Sequence, residues 1–337
     1  MERQRSGAGS DFINAKVRGM RSKLLEADRL SELSDSHSLP ELFRRTHPGR
    51  TFEGHLQFES EIVRDEILQL NRILEHLSGD FFPLFQWLLT AFQLENLKVA
   101  LRSHMAHEKR AATEALLAPT PRWLSLPTEK LFDAPDLARF VRAVPQPALQ
   151  AALQAVLNET SKPDLFTLDM ALDSAYIKRL VELAGRTDRW TRRLVGFDVD
   201  RRSLLLLLRA RFNYRCAFDQ IEPFFSPAGE FLTTQSALRI FDAPDIKEAI
   251  HRIPNGGVPD ALRDGVASLT RLEDLLFLQH YRLAARCYVE SVLGMASVVA
   301  FYYIKTIETT NLIRLTELVR HSLPREEIDS SLLKLAR

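Results

Sequence analysis

Along almost the whole chain, apolar residues return at intervals of three and four, the spacing that lines up one face of an α-helix. The stretch QLENLKVALR (Gln93–Arg102) is representative. Leu94, Leu97 and Leu101 share one face, and Glu95, Lys98 and Arg102 share another. This reads as a core-packed helix with a solvated polar side. Asn96 sits beside the apolar stripe, where a short amide can satisfy backbone groups of a neighbouring helix or connector. No alternating run of β-branched residues is long enough to suggest a sheet. Proline-rich stretches at Leu117–Pro127, Val144–Pro147, Glu222–Gly229 and Pro254–Pro259 mark breaks. The pattern predicts an all-α protein with short irregular connectors. Leu204–Leu208 is apolar all round and is expected to be buried on all sides. Phe301-Tyr302-Tyr303, inside an uncharged run, is expected in the core rather than stacked on bases.

The chain also resembles itself. LFDAPDLARFVRAV (Leu131–Val144) recurs as IFDAPDIKEAIHRI (Ile240–Ile253), 109 residues later. In both, Asp133 and Asp242 are expected as helix N-caps, with the proline early in the helix and the second aspartate in its first turn. The opening stretch has partners at a similar offset: Asn96 and Arg102 correspond to Ser203 and Arg209, and then to Asn311 in TTNLIRL. An acidic and apolar lead-in precedes each, around Glu59, Asp169 and Glu273. Three helical units follow: residues 11–115, 116–222 and 223–328, between a disordered leader (1–10) and a C-terminal tail (329–337). Phe12–Leu25, which carries Asn14-Ala15-Lys16-Val17, suggests that the ends are partial units and that the first and last helices meet.

Composition narrows the functional classes. Forty-five basic residues against 44 acidic leave a net charge of +1, which disfavours a general nucleic-acid binder. Cys216 and Cys287 have no metal-like spacing and suit a reducing compartment. The first residues lack the apolar region of a secretory signal. The longest uncharged run, Ser291–Ile304, is 14 residues, short of the roughly 20 a membrane-spanning helix needs. No phosphate-cradling GxxxxGK[ST] or GxGxxG and no GxSxG elbow occurs, so neither nucleotide hydrolysis nor serine-hydrolase chemistry is expected.

FINAKVRGMRSKLL, QLENLKVALR, FDVDRRSLLLLLR, YYIKTIETTNL and SLPREEI, in that order and spacing, give the chain a resemblance to the C subunit of V-type and A-type rotary ATPases, called d in eukaryotes. The resemblance covers Asp11 to about Ile328. It implies three similar helical bundles around a pseudo-threefold axis, shaped like a funnel. It also implies a peripheral, non-catalytic rotor subunit at the cytoplasmic face of the membrane, without cofactors. The implied partners are the central-shaft subunits and the proteolipid ring, between which torque would pass. Two departures stand out: Ser203 occupies an asparagine position, after Arg201-Arg202, and Lys305-Thr306 stands where a Lys-Glu pair is common.

Two features allow other chemistry. Residues 186–215 contain nine arginines, among them Arg186, Arg189, Arg192, Arg193, Arg201, Arg202 and Arg211, against three aspartates. They read either as a solvated face with local ion pairs or as a basic surface that docks acidic loops or anionic headgroups. His104 and His107 stand at i, i+3 and can reach one metal, but only one Glu-x-x-His occurs (Glu248 to His251), whereas a di-iron bundle needs two. Besides the rotor subunit, a cytosolic helical scaffold unrelated to rotary ATPases and a helical metalloenzyme therefore stay open.

Overall fold

The computed structural model describes residues 3–25, 28–160, 162–291 and 294–333, and every regular element among them is helical. Packing groups the chain into two units: one from its two ends (Met1–Gly79 with Phe277–Arg337) and one from its middle (Asp80–Leu276). The terminal unit begins with α1 (Arg3–Arg21), α2 (Asp28–Leu33), α3 (Leu39–Thr46) and α4 (His55–Leu74). The middle unit holds α5 (Phe81–Ala106), α6 (Arg110–Glu114), α7 (Thr128–Phe132), α8 (Leu137–Arg142) and α9 (Pro147–Glu159). It continues with α10 (Leu165–Ala184), α11 (Arg189–Phe212), α12 (Phe218–Ile221), α13 (Thr234–Phe241), α14 (Ile246–His251) and α15 (Asp260–Arg263). The next helix, α16 (Leu269–Glu290), passes from the middle unit into the terminal one at Phe277. The terminal unit is completed by α17 (Ala296–Arg320) and α18 (Arg325–Ser331).

In the terminal unit α17 carries both α1 and α4 along its length. One core joins Leu30, Leu33, Leu42, Phe43, Phe58 and Ile62 from the start of the chain to Leu312, Leu315, Val319, Ile328 and Leu332 from its end. Each such side chain contributes about 1.5–3 kcal/mol by leaving water, and neither end supplies the core alone. The first and last long helices do meet: Ser297 on α17 donates to the Asn14 amide oxygen on α1. Of the stretch expected as a leader, residues 1 and 2 lie outside the described residues, and α1 begins at Arg3. Of the stretch expected as a tail, residues 334–337 lie outside them, whereas Leu332 and Leu333 are buried. Phe301, Tyr302 and Tyr303 are buried in α17. Among the described residues no helix is long and apolar enough to cross a membrane.

In the middle unit α10 packs against α5, α9 and α11. The Trp87 indole on α5 stacks on Tyr176 of α10 at 5.7 Å, and its N–H donates to the Tyr176 carbonyl at 2.9 Å. Leu204, Leu205, Leu207 and Leu208 are buried on α11, but Leu206 is only half-buried, so one side of that run reaches the unit's edge.

The repeated FDAPD segments are built alike, though not as expected. Asp133 and Asp242 do not cap; they end α7 and α13. The residue before a proline is pushed out of the helical region, so each helix must stop there. Helix resumes only after the second aspartate, which is the N-cap. Asp136 and Asp245 have extended backbones and accept from the amides of Arg139 (2.7 Å) and Glu248 (2.8 Å).

Candidate functional site

The three longest helices, α5, α11 and α17, carry Asn96, Ser203 and Asn311, and each of these residues ties its helix to the segment that follows. The Asn96 amide donates to the Ala118 carbonyl and accepts from the Ala118 N–H, both at 2.8 Å. Asn311 makes the same pair of bonds with Leu333, donating at 3.0 Å and accepting at 2.9 Å. Ser203 makes one bond of this kind: its hydroxyl donates to the Ser226 carbonyl at 3.4 Å. The partner lies 22 residues on in the first and third cases and 23 in the second. The helix ends show the same offset. A left-handed residue follows each: His107 (φ 54°), Arg215 (φ 56°) and Ser322 (φ 54°). Those residues stand eleven, twelve and eleven positions after Asn96, Ser203 and Asn311. Beyond them each latch partner is again eleven positions on. One extra residue at the end of α11 accounts for both departures.

The lead-in acids sit opposite these helices. Glu273 on α16 pairs with Arg209 on α11 at 3.1 Å. Asp169 on α10 faces Lys98 and Arg102 on α5; burial raises its pKa, and the two cations offset part of that. Glu59 on α4 faces α17, where the position matching Arg102 and Arg209 is Glu317. Its pKa is raised by burial and then by the hydrogen bond and charge of Glu317. Two seams thus match an acid with a base, and the third sets two acids together.

Lys98, expected on a solvated face, is buried. Its ammonium meets Asp173 of α10 at 2.6 Å and Glu95 at 3.3 Å. Burial opposes the charge, but Asp173 and Glu95 outweigh it and hold the pKa above the usual lysine value. Sequence spacing within one helix gave no sign of this, because the partner comes from another helix. On α17 the buried Lys305 pairs with Glu308, which also accepts from the Leu25 amide at 2.6 Å. Glu66 of α4 lies beside this pair, fully buried, and burial raises its pKa to about 7.

The arginine-rich stretch divides. Arg201 is buried and, with half-buried Arg202, binds Asp198 at 2.6 and 3.1 Å. Arg193 pairs with Glu230 at 3.3 Å, and the half-buried Arg211 lies over the Phe241 ring at 5.6 Å. Arg186, in the turn before α11, and Arg189 and Arg192 at its start are exposed, with Arg186 bound to Glu182 at 2.6 Å. The other candidate cluster separates by role. His104 packs on the Phe140 ring at 5.0 Å, and burial followed by the neighbouring His107 lowers its pKa. His107 is the left-handed cap of α5. Among the described residues no group of three or more metal-type side chains converges.

The sequence also matches known proteins over nearly its whole length. The profile of the family described as ATP synthase (C/AC39) subunit matches residues 13–331. The C subunit of the A-type ATP synthase of Methanosphaera stadtmanae is 26% identical over 347 residues, covering 96% of this chain and 87% of that protein. Its counterpart in the A-type ATP synthase of Methanocaldococcus jannaschii is 19% identical over 351 residues, covering 96% and 86%. With nearly all of its helical architecture inside the match, the chain belongs to the ATP synthase (C/AC39) subunit family.

Proposed function

We propose that this protein is the non-catalytic coupling element of an A/V-type rotary ATPase, linking the central shaft to the membrane proteolipid ring. The observation that carries the reading is the family match over residues 13–331. The proposed architecture is three similar helical units, 11–115, 116–222 and 223–328, around a pseudo-threefold axis. The recurrence of one latch on α5, α11 and α17 supports it. Such a part works mechanically: torque passes through shape-complementary contacts and needs no general base, metal or cofactor. Buried links such as Lys98–Asp173 and the Asn311–Leu333 latch resist relative movement of helices within a unit. The exposed Arg186, Arg189 and Arg192 would dock acidic loops of a partner protein. The protein would be peripheral, at the cytoplasmic face.

The test is deletion of the gene followed by assays on membrane vesicles. ATP-driven ion transport should be lost while ATP hydrolysis by the detached head persists, and the tagged chain should co-purify with shaft and ring proteins. Intact ATP-driven transport without this chain would overturn the proposal.

A further inference from the structure

The terminal unit encloses a cavity of about 450 Å³, within the size range of small-ligand sites. Its walls come from α1, α3, α4 and α17, so it exists only where the two ends of the chain are packed together. Five cations line it: Lys16, Lys23, Arg45, Arg72 and Lys305. Among the described residues two carboxylates do, Asp65 and Glu308, and both already have partners. Asp65 is held by Arg50 at 3.1 Å and faces His47 at 3.4 Å, and Glu308 is bound by Lys305. The Lys16 ammonium donates to a carbonyl, that of Arg72, at 2.9 Å. Arg45 donates to the Ser36 hydroxyl at 3.1 Å, and its nearest carboxylate oxygen, on Glu41, is 3.9 Å away. Lys23 and Arg72 have exposed side chains. Among the described residues, then, Lys16, Lys23 and Arg72 have no carboxylate partner, and Arg45 has only the long pair with Glu41.

We propose that this cavity binds a multiply charged phosphate group. The walls supply what such an anion requires: two lysines as point charges and two guanidinium forks with several donors each. A compact dianion or trianion would balance Lys16, Lys23, Arg45 and Arg72 together. It would also bridge α1, α3 and α4. The phosphate can be that of a soluble pyrophosphate-type compound or of an anionic lipid headgroup. This proposal stands apart from the coupling function.

Pyrophosphate is the probe, titrated calorimetrically into the full-length protein at constant ionic strength. Saturable binding is expected, with an unfolding midpoint that rises with ligand concentration. Lys23→Ala and Arg72→Ala should each weaken binding about ten-fold or more, the usual effect of losing a charged hydrogen bond. Arg72→Ala leaves the carbonyl that holds Lys16 in place. The charge-keeping Lys23→Arg/Arg72→Lys variant should retain most of the binding, and circular dichroism confirms that each variant folds. Flotation with phosphatidylglycerol vesicles distinguishes the sources. Vesicle binding that pyrophosphate displaces assigns the phosphate to a lipid, and pyrophosphate binding without vesicle binding assigns it to a soluble compound. The proposal is overturned if no saturable binding occurs at millimolar pyrophosphate. It is also overturned if sulfate at the same ionic strength binds equally well, or if Lys23→Ala/Arg72→Ala binds as the parent does.

Discussion

Replacing Asn311 by alanine removes both bonds of the α17 latch, and the cost follows from where the latch lies. Asn311 is fully buried and Leu333 is 5% exposed. The Leu333 N–H and C=O would then lose partners that water cannot easily replace, at about 1–3 kcal/mol per group. About 3 kcal/mol or more is the expected loss. Asn96→Ala breaks the same two bonds, but Ala118 is only half-buried, so water can take over and the loss should be about 1–2 kcal/mol. Chemical unfolding measures both, with each unit's transition followed separately because a chain of two units need not unfold in one step. Far-UV circular dichroism reports both units. Trp87, Trp123 and Trp190 all lie in the middle unit, so fluorescence follows Asn96→Ala directly. An Asn311→Ala protein with the parental midpoint, or one less affected than Asn96→Ala, would refute the link between burial and latch strength. Asn311→Asp keeps the acceptor but loses the donation to Leu333 and adds a buried charge, so it should cost at least as much as alanine.

Glu66 should make stability depend on pH: its folded pKa is raised by burial to about 7, so its contribution is complete below the unfolded value and is lost as pH rises through about 7. Glu66→Gln should remove that part of the slope in a series of unfolding midpoints, and an unchanged slope would exclude Glu66 as its source. Glu317→Arg should relieve the paired acids on α4 and α17 but gives up the Glu317–Arg320 pair at 2.6 Å, so the unfolding midpoint above the carboxylate range should move by no more than about 0.5 kcal/mol. At Gly229 an added Cβ would lie 1.7 Å from the Asp200 carboxylate, whose other oxygen accepts from the amides of Phe231 (2.5 Å) and Leu232 (3.1 Å). Gly229→Ala should therefore cost about 2 kcal/mol or more by urea unfolding, and a neutral result would mean that Asp200 can move aside. Ser203→Asn should gain nothing alone but about 1 kcal/mol in a chain lacking Asn213, because the extra residue after α11 sets the latch partner out of register; equal effects in both backgrounds would dismiss the coupling.

The helical class, the breaks at proline and the buried stripes were legible because they depend on spacing within one segment. What was not legible depended on pairing between segments. Lys98 reads as a solvated residue until α10 brings Asp173 to it, and Arg201 reads as surface charge until Asp198 is seen buried beside it. Local patterns also misled where two neighbouring residues competed for one role. In FDAPD both aspartates suit a cap, and the decision falls to the residue before proline, which cannot stay helical. The cavity in the terminal unit was out of reach altogether, since its walls join residues nearly three hundred positions apart, such as Lys16 and Lys305.

Why the repeat could be read at all has a physical answer. A side chain that binds another side chain fixes two positions, and either substitution breaks the bond. A side chain that binds the backbone fixes only itself, because every residue but proline offers the same N–H and C=O. The asparagine latch is of the second kind: Ala118 and Leu333 share no side-chain chemistry, yet both receive the same pair of bonds. Asn96 and Asn311 can therefore stay recognisable while their surroundings diverge. The ion pairs of the seams, which need a partner of opposite charge, have already reversed at Glu317.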